Sequence, residues 1–111
     1  MAEEYSKVVD ELEVDERPYL IGYHIFKRDH WEMAKVSLKP GAKMPLHAHE
    51  DGEQCYYILA GKGYLVMEGN SYELGPGMAA FIPIGIEHYT ENPGDELFTY
   101  VEFRTTNQTK K

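Results

Sequence analysis

The chain of 111 residues has room for one compact domain and a core that needs no disulfide, so a second domain is not expected. Its 42% hydrophobic and 13% aromatic content, with nine Tyr and four Phe, excludes a disordered polymer. With 19 acidic against 11 basic residues the formal charge is -8, a field that repels phosphate backbones and excludes nucleic acid as an expected partner.

Residues 1–18 mix acids with Val8, Val9, Leu12 and Val14, a pattern for a loose helix or for an arm that docks on a neighbour. They show neither a basic start nor a continuous apolar run, no segment is apolar enough to span a membrane, and the single Cys55 closes no internal disulfide. The expectation is a cytoplasmic protein with no membrane partner. From Tyr19 onward β-branched and aromatic residues alternate with Gly and Pro, which predicts strands over Tyr19 to Phe26, Trp31 to Leu38, Met44 to His49, Tyr56 to Leu59 and Tyr64 to Glu68. Further strands are predicted over Ser71 to Leu74, Met78 to Ile82, His88 to Glu91 and Leu97 to Phe103. Breaks such as Pro40-Gly41, Gly61-Lys62-Gly63, Gly75-Pro76-Gly77 and Pro83-Ile84-Gly85 supply the fixed or positive φ a reversing chain needs. Short strands at this spacing point to an all-β closed barrel or double-sheet jelly roll over 19–103, with 104–111 a polar tail.

The chemistry concentrates in two places. His47 and His49 stand two residues apart on a predicted strand, so both imidazoles project from one face. Glu53 and Gln54 follow, and His88 lies in a second segment framed by Gly and Pro; together they offer three imidazoles and an oxygen donor for a divalent ion.

These residues resemble the cupin family. Its first motif is met by Gly41, His47, His49 and Gly61, and its second by Gly77, Pro83, Gly85, His88 and Asn92 at every fixed position. The two motifs span about half the chain, residues 41–92, and imply a double-stranded β-helix with one metal held between facing sheets. The family's Glu position departs here: counting back from Gly61 reaches Gln54, which we favour, while Glu53 fits only if the spacers shift. Strand alternation permits only one of the two as a ligand. A ligand set of His47, His49, Gln54 and His88 resembles that of cupins that linearise unsaturated uronates.

Three neutral imidazoles and a neutral amide leave the double charge of the ion uncompensated, so the site favours a small anionic molecule. Ligand type leaves the metal open among Zn, Ni, Fe, Mn, Co and Cu. If Gln54 faces inward then Tyr56 does too, and Tyr56 is the candidate proton donor. Cys55 should face away from the metal as a small buried hydrophobe, Met44, Met67, Met78, Phe81, Phe98 and Tyr100 should form core and pocket wall, and His24 and His30 should be structural or surface residues. Three functions fit the site: a Lewis-acid isomerase or lyase acting on a carbonyl or sugar-acid substrate, an iron-dependent dioxygenase, and a non-catalytic module for a small ligand or metal. The resemblance also implies a homodimer, and the acidic and apolar N-terminal arm is expected to supply the contact by adding a strand to a neighbour's sheet edge.

Overall fold

The computed structural model describes residues 5–108. After a single 3-10 turn, Val9–Glu11, the chain forms β1 (Asp15–Glu16), β2 (Leu20–Lys27), β3 (Trp31–Leu38), β4 (Gln54–Ala60), β5 (Gly63–Met67), β6 (Asn70–Leu74), β7 (Ala79–Ile82), β8 (His88–Glu91) and β9 (Phe98–Thr105). Six strands make one sheet in the order β1-β2-β3-β9-β4-β7, and three make a second in the order β6-β5-β8. All the pairings are antiparallel, and the two sheets face each other as a jelly roll. No helix of the described residues is long and apolar enough to cross a membrane.

The alternation predicted for β4 is observed directly. Gln54, Tyr56 and Ile58 are buried, whereas Cys55, Tyr57 and Leu59 are exposed. Leu20, Leu38, Ile58, Phe98 and Tyr100 from the large sheet meet Leu65 and Leu74 from the small one. Each such side chain contributes roughly 1.5–3 kcal/mol of burial. Asn92 ties the strand ends together from inside: its Nδ2 donates to the carbonyls of Leu38 and Glu96 at 2.9 and 2.7 Å, and its Oδ1 accepts from the Gly94 N–H. Gly61, at φ 75, turns β4 into β5 where a Cβ would lie 2.1 Å from the Leu97 carbonyl oxygen, so only glycine fits.

Three expectations are corrected and part of the N-terminal arm is placed. The predicted strand Met44 to His49 is not a continuous ladder but two isolated bridges, Lys43 to Glu91 and His47 to His88, because Pro45 has no N–H to donate. Part of the N-terminal arm, β1, pairs with the β2 edge of its own sheet, Asp15 opposite Gly22. Cys55 does face away from the barrel interior, yet it is exposed, with no covering layer over it among the described residues. Met78 and Phe81 are likewise exposed rather than part of the core, and line a shallow surface pocket between the two sheets' ends.

Candidate metal centre

His47 and His88 are cross-strand partners at the edge of the small sheet, and His49 follows two residues beyond His47. The ring centroids lie 4.4 Å apart for His47 and His88, 5.0 Å for His47 and His49, and 5.8 Å for His49 and His88. One nitrogen of each ring falls within 4.8 Å of the others, so the three histidines can hold a metal ion.

Backbone carbonyls set the tautomers of two of these rings. The Nδ1–H of His47 donates to the Pro45 carbonyl at 2.8 Å, and that of His88 to the Ile86 carbonyl at 2.9 Å. A carbonyl only accepts, so each neutral ring keeps its Nε2 lone pair for a cation. Burial lowers the pKa of His88 and holds that of His49 down at about 4, the latter aided by the Arg104 charge and by His47 and His88. His49 and His88 are therefore neutral at pH 7.

Gln54 opens β4 on the large sheet and is 2% exposed. Its Nε2 donates to Glu102 Oε1 on β9, which fixes the amide orientation. Its Oε1 is buried with no partner, and so is Nε2 of His88. Two orphaned buried acceptors at this end of the barrel are costly unless a cation fills the space between the sheets, so the residues fit a metal. Glu53, the alternative, is exposed; its backbone pairs with Thr105, and it stands outside the histidine cluster.

A cavity of about 440 Å³ opens beside the triad. His47, His49, Glu102, Arg104 and Glu32 line it, with Phe26, Ala34, Met33 and Met44 as apolar wall and Arg17, His24 and Lys27 adding further polar groups. Burial raises the Glu102 carboxyl above the ordinary glutamate value, opposed by Arg104 and His47. Arg104 donates to Nδ1 of His49 at 2.8 Å and pairs with Glu32 at 3.3 Å.

The structure brings His47, His49 and His88 together, and turns Gln54 inward from the opposite sheet. Tyr56 is elsewhere: it is 2% exposed within the core, its ring 4.4 Å from that of Tyr100, and it is not among the residues lining the cavity. Burial pushes its hydroxyl well above the usual tyrosine value. His24 is an exposed residue bonded to Asp15 at 2.9 Å, and His30 is exposed as well. Glu102, Arg104 and Glu32 escaped the sequence reading because they belong to no motif; their only signal is strand alternation on β3 and β9, which puts charged residues on an inward face.

A two-sheet β-barrel with three converging imidazoles at one end defines a jelly-roll domain with a metal-capable centre. The cupin-domain family model matches residues 34–103, and the chain belongs to the cupin family. Its sequence is 37% identical over 60 residues to mannose-1-phosphate guanylyltransferase of Escherichia coli, covering 54% of this chain and 13% of that protein. The fold matches an RmlC-like cupin from Shewanella frigidimarina with a TM-score of 0.84, 19% identity and 94% and 92% of the two chains covered. KdgF from Halomonas sp. matches with a TM-score of 0.81, 19% identity and 91% and 92% coverage. At those identities the likeness to the two solved structures is one of fold.

Proposed function

We propose that the chain is a metal-dependent enzyme of the isomerase or lyase type, acting on a small anionic carbonyl or sugar-acid substrate. The observation that carries this reading is the pair of buried, unpartnered acceptors, Oε1 of Gln54 and Nε2 of His88, beside two further imidazoles and an open cavity. His47, His49, Gln54 and His88 would hold the ion, which supplies a Lewis-acidic charge for a substrate oxygen.

The remaining work falls to residues of this chain. Arg17, Lys27 and Arg104 place positive charge around the cavity of a protein whose net charge is -8, which draws an anion to this one place. Phe26, Ala34, Met33 and Met44 exclude water from one wall. Glu102 faces the cavity with a carboxyl whose proton affinity is raised by burial, so it is suited to take and return a proton at a substrate carbon. That role passes to Glu102 from Tyr56, which is absent from the cavity lining and sits in the core.

The reading is tested by elemental analysis of the purified protein beside His88→Ala and Gln54→Ala. Near-stoichiometric metal in the parent, lost in both variants, supports it; metal absent after reconstitution overturns it and favours a metal-free binding module. Oxygen uptake on substrate addition by an iron-loaded sample would transfer the assignment to a dioxygenase.

A further inference from the structure

His49 differs from the other two imidazoles in what holds it. Nδ1 of His47 and of His88 each donates to a carbonyl, whereas Nδ1 of His49 faces Nη1 of Arg104 at 2.8 Å. A guanidinium only donates, so Nδ1 of His49 must be the accepting nitrogen and the ring proton must sit on Nε2. Metal binding through Nε2 requires that proton to move to Nδ1, where it would meet the Arg104 N–H head on. Binding through Nδ1 requires Arg104 to leave that atom. For a neutral ring, the arginine contact and a bound ion therefore exclude each other on either route.

We propose that Arg104 is a positioning residue that gates the metal centre: it locks His49 in the tautomer that cannot ligate, and metal loading expels it from the ring. A destination for the displaced group already exists. Glu32, the register partner of Arg104 across β3 and β9, accepts from its Nη2 at 3.3 Å, and both residues line the cavity. The released guanidinium thus stays in the cavity with donors open to an anionic ligand. This inference rests on the metal reading above, and by linkage any anion that holds Arg104 away from His49 tightens metal binding.

The test is long-range proton–nitrogen NMR of the full chain with labelled histidine, stripped with EDTA at neutral pH and then titrated with Zn2+. The metal-free protein should show His47 and His88 protonated on Nδ1 and His49 alone on Nε2. Zinc should convert His49 to the Nδ1–H form. In Arg104→Met, His49 should lose its Nε2–H preference before any metal is added, and zinc should bind about tenfold or more tightly, the worth of one charge-assisted hydrogen bond. An arginine acting only through its charge would alter zinc affinity without changing the tautomer, and that result overturns the gate. So does a metal-free parent with His49 on Nδ1, or a zinc-bound form with His49 deprotonated at both nitrogens; the parent spectra need no variant. The expected tautomers with no zinc binding in either protein would refute the metal reading and the gate with it, whereas zinc binding with His49 unchanged refutes the gate alone.

Discussion

Gln54→Leu separates the ligand role of Gln54 from its structural one. The side chain is 2% exposed, so leucine, of similar volume, fills its place without a large cavity. Two effects oppose each other in the metal-free protein. Removing Oε1 removes a buried acceptor with no partner, a relief of about 1–3 kcal/mol, while removing Nε2 takes from Glu102 a donor worth a similar amount. The net change should lie within about 1 kcal/mol. With metal present only losses remain, because the oxygen that would ligate is gone. A hundredfold weaker site corresponds to about 2.7 kcal/mol less stabilisation at fixed excess metal. Urea denaturation of parent and variant, each in EDTA and in excess Zn2+, measures both quantities. An equal zinc-induced increment in the two proteins would refute Gln54 as a ligand. A fall of more than about 3 kcal/mol in EDTA would show that the amide is needed as scaffold.

Three further outcomes follow from the same geometry. Because burial raises the folded pKa of Glu102, the fold favours its protonated form, and that contribution is lost as pH rises from the ordinary glutamate value through the folded one. Glu102→Gln should therefore gain stability at neutral pH and flatten that slope, while lowering turnover about 10²–10⁴-fold at unchanged metal content; unaltered turnover would remove Glu102 from the chemistry. For His49 the sign is opposite: its folded pKa is depressed to about 4, so the metal-free fold should lose stability as pH falls from about 6.5 towards 4, and His49→Gln should lessen that slope in urea titrations. At Gly63 a Cβ would lie 2.4 Å from Phe98 Cδ2 and 2.8 Å from the Glu91 carbonyl oxygen, so Gly63→Ala should cost about 1–3 kcal/mol or more, while Gly75→Ala, with nothing nearer than 3.9 Å, should be mild; equal midpoints would contradict the close approach.

What the sequence made legible was whatever rests on local chemistry. Turns show themselves through Gly and Pro, and the β4 face through period two, so the barrel, its inward Gln54 and the histidine triad were all readable. Strand continuity across Pro45 was misread because alternation says nothing about which N–H must donate. Cys55, Met78 and Phe81 were misplaced because apolar composition records a preference for burial but not which sheet face has a covering layer. Tyr56 shares a strand face with Gln54, yet it packs against Tyr100 in the core while Gln54, one row on, stands in register with Arg104 and Glu32, a change of surroundings that alternation cannot encode.

That change along one face is how the large sheet passes from an apolar core to a polar end, where His47 and His49 join it from the segment ahead of β4. Following the register across the large sheet, one inward row is Ile58, Tyr100, Val36 and Gly22, buried and apolar but for the Tyr100 hydroxyl, which bonds Thr90. The next is Tyr56, Glu102, Ala34 and His24; the next after that is Gln54, Arg104, Glu32 and Lys27. Over two rows, about 7 Å each by strand geometry, the same face turns from hydrocarbon to amide, guanidinium and carboxylate. The apolar rows hold the strands in register, and a one-residue slip would exchange Gln54 for Glu53 or Cys55 and put Tyr57 in the core. Packing energy in the lower rows therefore fixes the placement of polar groups in the upper ones. Those groups need no hydrophobic contribution of their own, and can remain as under-satisfied as Gln54 Oε1 and His88 Nε2 are.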